Sequence, residues 1–194
     1  MDKRGRIVLF FLTFFGVLSF MLSCERDDIC ADVEITPRVI IRFTDFTDPD
    51  DFNDVVNLQI QYIPDEDEEF ENGVASDSIV FNVFENAVTS DSIALPLPTS
   101  KNRARFRFIQ NFELDIDDNE DLSNAEIDIV EFTYTTTEEY VNRACGFKTI
   151  YSDLEVVSMP GNGEEITQGF IQGRSNVVNK IIEDEDEAHV RFSH

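Results

Sequence analysis

Between Arg103 and Ile109 the chain reads R-A-R-F-R-F-I. Cations alternate with apolar side chains at a period of two, the spacing of a strand with one wet face and one buried face. The same alternation recurs along the chain, each time bounded by turn residues. It appears at Arg38–Thr44, Val55–Ile63, Ser78–Phe84, Ser92–Leu97, Ala125–Thr135, Tyr140–Tyr151, Leu154–Ser158, Ile166–Ile171, Val177–Ile182 and Ala188–Phe192. No stretch carries a sustained helical period. Short strands with frequent turns predict an all-β chain, an antiparallel β-sandwich of the Ig-like or jelly-roll-like kind. One domain is expected over residues 37–194.

The first 23 residues follow a different rule. Lys3, Arg4 and Arg6 precede Ile7–Leu22, sixteen residues interrupted only by Thr13, Gly16 and Ser19. A spanning helix needs about 20 apolar residues, so the run fits the core of a secretory signal better. It ends at Met21-Leu22-Ser23-Cys24, which resembles the lipobox of bacterial lipoproteins. That resemblance implies cleavage before Cys24 and acylation of its thiol. Residues 1–23 are then a signal peptide and 24–36 a lipid-anchored tether. The membrane is the first expected partner.

Three cysteines are present. With Cys24 acylated, Cys30 and Cys145 remain, an even pair in an oxidising compartment. They form either a disulfide or two free thiols, and the compartment favours the disulfide. Closing a loop of that length is worth about 4–5 kcal/mol in the chain-entropy model.

Cleavage removes Asp2 with the three cations. Basic residues fall from 15 to 12 and acidic ones from 40 to 39, moving the net charge from −25 to −27. Such a surface has no patch to meet phosphates, which excludes nucleic acid as an expected partner. The 18 phenylalanines and the strand-like recurrence of Ile and Val argue against disorder.

Candidate chemistry is sparse. Asp115, Asp117, Asn119, Asp121, Ser123 and Glu126 fall at the ligand offsets of a Ca²⁺-binding loop. Glu120 stands where that loop requires Gly, and the flanks read as strands. Either a Ca²⁺-binding hairpin or a solvated acidic turn fits. Arg103, Arg105 and Arg107 are the concentrated positive charge. They either pair with the protein's own carboxylates across neighbouring strands or meet lipid phosphates or an acidic partner. His189 and His194 are the only histidines, both near the C-terminus, so no Ser-His-Asp or Cys-His set is expected. The chain reads as a non-enzyme without a cofactor, Ca²⁺ aside. The alternative is a surface module binding Ca²⁺ or glycan.

Several resemblances bear on location. Cys24 is followed by Glu25-Arg26-Asp27-Asp28, similar to the surface-export signal of Bacteroidota lipoproteins; the alternative is a plain acidic linker. Asp77-Ser78-Ile79 and Asp91-Ser92-Ile93 resemble the O-glycosylation sequon of that phylum, with Ser78 and Ser92 as acceptors. Turn chemistry explains both equally well. C-E-R-D-D-I-C at 24–30, T-P-R-V-I-I-R-F at 36–43, D-S-I-A-L-P-L at 91–97 and R-A-C-G-F-K at 143–148 together resemble a Bacteroidota lipoprotein family known only as a domain of unknown function. Cys30 and Cys145 both lie inside these motifs, which supports their pairing. The resemblance implies an accessory subunit of an outer-membrane β-barrel complex, with barrel assembly as the expected process. The anchor would face the cell surface, or the periplasm as the alternative.

Overall fold

Phe106 and Phe108 of the R-A-R-F-R-F-I stretch are buried, and they lie at the centre of the molecule. The computed structural model describes residues 36–64, 81–117, 119–143, 145–160 and 169–194. The signal, the tether up to residue 35, with Cys24 and Cys30, and Ser78 lie outside them. Twelve strands are described: β1 (Val39–Thr44), β2 (Val55–Ile63), β3 (Phe81–Asn82), β4 (Val88–Ser90), β5 (Ser92–Leu95), β6 (Arg103–Gln110), β7 (Glu113–Leu114), β8 (Glu120–Asp121), β9 (Glu126–Asn142), β10 (Gly146–Pro160), β11 (Gln172–Val177) and β12 (Val190–Ser193). The fold is all-β, as the alternation required.

One sheet runs β11-β12-β1-β5, and a larger one runs β10-β9-β6-β2-β3 with β4 also on β2. The chain crosses between them at Asp91. β4 pairs with β2, whereas β5 pairs with β1. Val39, Ile41, Phe43, Val190 and Phe192 of the first sheet share one core with Leu58, Ile60, Phe106, Phe108, Val130 and Phe132 of the second. Phe108 meets Phe192 across the layers, ring centroids 6.0 Å apart and near-perpendicular. Edge-to-face contact of this kind adds to the burial itself. Tyr134 and Tyr151 also stack edge to face, and their hydroxyls donate to the carbonyls of Pro98 and Leu97. Burial pushes the Tyr151 phenol up to about 12.

Several expectations change, and the strand expected over Val177–Ile182 is one: β11 ends at Val177, and within that stretch only an isolated bridge at Ile182 follows. The antiparallel rule fails for one pair: β1 and β12 run parallel, Ile41 opposite Val190 through Thr44 opposite Ser193. The direction of a C-terminal strand is set by β11, which is antiparallel to it; no local pattern encodes that. The strand expected over Tyr140–Tyr151 is cut by a turn. Asn142 Oδ1 accepts the N–H of Cys145 at 2.7 Å, and Gly146 takes φ +73°, a conformation that favours glycine. Two long antiparallel strands result, β9 and β10. In β2 the alternation slips. Asn57 takes φ 48° at a register shift, so Val55 is buried while Val56 is exposed. Such a bulge moves one residue out of phase.

Candidate functional site

The acidic segment that fits either a Ca²⁺-binding loop or a solvated turn folds as a small hairpin, β7 to β8, between β6 and β9 in sequence. Asp115 Oδ1 accepts the backbone N–H groups of Asp117 and Asn119, at 2.8 and 2.9 Å. Asn119 Nδ2 donates to both oxygens of the same carboxylate. The N–H of Asn119 first, then that of Asp117, holds the Asp115 carboxyl below the ordinary carboxylate range. Asp121 Oδ1 likewise accepts the N–H of Ser123. Glu126 has already entered β9, opposite Gln110. Of the six residues, Asp115 and Asp121 thus cap turns. Among the described residues no group of three or more His, Cys, Asp or Glu is placed to hold a metal ion. The turn is built from Asx bonds because Asp and Asn close their own backbone where no Gly is supplied.

The arginines lie on the outer face of the larger sheet, as the alternation places them. Arg105 stands opposite Glu131 and Arg107 opposite Gln61. Arg107 Nη2 donates to Glu120 Oε2 at 2.7 Å, and Gln61 Nε2 donates to the other oxygen of Glu120. Beside them Ile109, Ile127 and Ile129 are buried outside the main core. For Arg107 the pairing with the protein's own carboxylate is thus realised. Arg103, at the start of the strand, is exposed.

Ser92 is the half-buried first residue of β5. Its N–H is taken by Ser90 Oγ, while Asp91 offers its carbonyl to Phe43 and its carboxylate to Arg42 at 3.2 Å. D-S-I at 91–93 thus sits at the crossing between the sheets.

Two buried ionisable groups escaped the sequence reading. Asp128 lies in the core phase of β9 and is 1% exposed. Its Oδ2 accepts the N–H groups of Phe170 and Ile171 at 2.8 and 3.0 Å, fastening the segment that leads into β11. Of the strand expected over Ile166–Ile171, residues 169–171 are not in a strand and the rest lies outside the described residues. Burial pushes the carboxyl up, against the pull of those two N–H groups. Gly169 packs so close that a Cβ would stand 2.4 Å from Asp128 Oδ1. His189 is 2% exposed. Its Nδ1 accepts the N–H of Ile40 at 3.0 Å, while its own backbone N–H donates to Ile40 O. Burial pushes the imidazole pKa down, opposed by Asp184 and Glu185. Arg38 grips both oxygens of Glu185 beside it. The signal for Asp128 was present: an acid within I-D-I-V, in phase with Val130 and Phe132.

The far end of β9 and the start of β10 form an arm. Past Tyr134 every described residue of β9 is exposed or half-buried, and the ladder with β10 continues to Asn142 opposite Gly146. Tyr140 and Phe147 stack near its tip, ring centroids 5.5 Å apart, although 58% and 59% exposed. Lys148 reaches Glu139 at 3.5 Å. Cys145 is half-buried in the turn. Nearer the body, Val157 and Met159 of β10 point outward at 55% and 47% exposure, opposite Glu131 and Ile129.

A family of unknown function, DUF6452, matches residues 72–194. The chain belongs to that family. The matched region holds D-S-I-A-L-P-L and R-A-C-G-F-K, whereas the two N-terminal motifs precede it. No curated protein and no solved structure matches the chain. DUF6452 membership assigns no activity, so function rests on the geometry.

Proposed function

We propose that this chain is a non-enzymatic lipoprotein of the outer membrane, held by acylated Cys24 and facing the cell surface. It serves as an accessory protein-contact subunit of an outer-membrane β-barrel complex, with barrel assembly as the process. Cys30 is the disulfide partner of Cys145. The observation that carries the contact role is the outward apolar pair Val157 and Met159 on β10, the strand that ends the larger sheet. Exposed apolar side chains grouped at a sheet border suit a protein partner better than water. The basic, apolar, small-residue and Cys order of residues 3–24 supports the anchor.

The test is affinity purification of tagged full-length protein from mild-detergent membranes, with mass spectrometry of what co-purifies. A stoichiometric barrel protein, lost in the Val157→Glu/Met159→Glu variant, is the expected result. A solitary protein refutes the accessory role. Protease shaving of intact cells tests the outward orientation, and full protection contradicts it.

A further inference from the structure

The arm and the tether meet at one disulfide, and that fixes which end of the molecule lies near the membrane. The placement depends on the proposed acylation of Cys24 and the Cys30–Cys145 pairing. Cys24 and Cys30 are six residues apart, so the chain between them spans at most about 20 Å. A disulfide adds at most about 7 Å between Cα atoms. The turn at Cys145 therefore sits within about 30 Å of the acylated residue, however the tether runs. The buried part of β9 ends at Tyr134, eight residues before Asn142. On β10 the core ends at Tyr151, opposite Thr136, so the arm reaches about 20 Å beyond the core. β1 begins nine residues beyond Cys30, so the tip has the shorter covalent path to the lipid.

The chemistry of the tip fits that position. Tyr140 and Phe147 form an aromatic pair more than half exposed, on a two-stranded ribbon with little other apolar burial. A tyrosine ring, with its polar edge, settles at the headgroup level of a bilayer, and Phe147 packs against the ring of Tyr140. Arg143 and Lys148 stand beside Glu138 and Glu139 at the tip, so it is locally neutral in a chain of net charge −25. The acidic β7–β8 hairpin lies at the other end of β9, where Arg107, opposite Ile129, meets Glu120. A tip-down orientation turns that acidity away from anionic headgroups. Weak interfacial contact suffices, since the covalent anchor keeps the tip at high local concentration.

We propose that the β9–β10 hairpin tip is a membrane-contact site: Tyr140 and Phe147 rest in the phospholipid headgroup layer, and the arm stands the sandwich off the bilayer. The chain has no Trp, which permits a direct test. Tyr140→Trp, Phe147→Trp and, as the distal control, Ile116→Trp, at a position 99% exposed on the acidic hairpin, are made in the full-length acylated protein. Each is reconstituted into vesicles of phosphatidylethanolamine and phosphatidylglycerol. Blue-shifted emission, quenching by headgroup-proximal brominated lipid and several-fold weaker acrylamide quenching are expected at 140 and 147, and none of these at 116. Equal acrylamide access at all three positions overturns the site, because the tip then faces water or awaits a protein. Equal shielding at all three overturns it also, because the body then lies flat or self-associates. Mass spectrometry of the same samples reads the acyl group and the Cys30–Cys145 peptide. If either is missing, the underlying reading fails and takes the proposal with it. If both are present and the tryptophans are wet, the proposal alone fails.

Discussion

Asp128→Ala removes the acceptor that fastens the entry to β11. Two backbone N–H groups, of Phe170 and Ile171, lose their partner at once. Phe170 is 3% exposed, so water replaces little of that bond; Ile171 is half-buried. An orphaned buried N–H costs about 1–3 kcal/mol. Relief from holding a carboxylate in the core offsets part of the loss at neutral pH, because burial disfavours the charged form. The net destabilisation expected at pH 7 is about 2–3 kcal/mol, a fall in Tm of about 4–12 °C for a domain of this size. Its pH dependence is the sharper signature. The folded Asp128 carboxyl has its pKa raised above 3.8. Between 3.8 and that raised value the folded state holds more protons than the unfolded one. The native protein therefore gains from this group as pH falls through the window. A protonated carboxyl still accepts through its carbonyl oxygen, so the fastening survives. The variant lacks the gain, and the gap between the two proteins widens on acidification. Urea unfolding of both proteins, produced without residues 1–24, from pH 7 to pH 4 measures it. A gap under about 0.5 kcal/mol, or one that narrows as pH falls, refutes the reasoning.

His189 predicts the opposite slope. Its pKa is lowered on folding, so below about 6.5 the unfolded chain takes up the proton first and stability falls with pH until the folded pKa is reached; His189→Asn, followed by the same unfolding series, loses that limb between pH 6.5 and 5. Gly146 has φ +73°, and no atom lies within 4 Å of the place a Cβ would occupy, so Gly146→Val suffers backbone strain alone, about 1–2 kcal/mol. Amide exchange at Phe147 should quicken while the urea midpoint of the core stays unchanged, and a global loss would contradict the arm's independence. Calorimetric titration with millimolar Ca²⁺ should give no saturable heat, since the carboxylates of Asp115 and Asp121 are engaged with their own turns; saturable binding lost in Asp115→Asn would overturn that assignment.

Much of the sandwich was written locally. In β6, Ala104, Phe106 and Phe108 point inward because strand geometry alternates side chains at every residue, and no neighbour is needed to know it. The same holds for Val39, Ile41 and Phe43 in β1. Where a turn interrupted the pattern, local reading weakened. N-R-A-C-G carries both turn residues, yet its flanks alternate smoothly enough to pass for one strand. The slip at Asn57 left no trace in composition, because one residue in a left-handed conformation moves Val56 outward without changing the letters.

Strands, their buried faces, the lipobox-like order of residues 1–24 and the excess of acid are all legible from the letters. They are properties of spacing and charge, which neighbours along the chain carry. Other features arise only when distant segments pack. Strand partners far apart in sequence set β1 parallel to β12, and close packing buried Asp128 and His189 against backbone N–H groups more than 40 residues away. Only pairing between two long strands could extend Tyr140 and Phe147 beyond the core, because one strand's reach depends on how far its partner follows it.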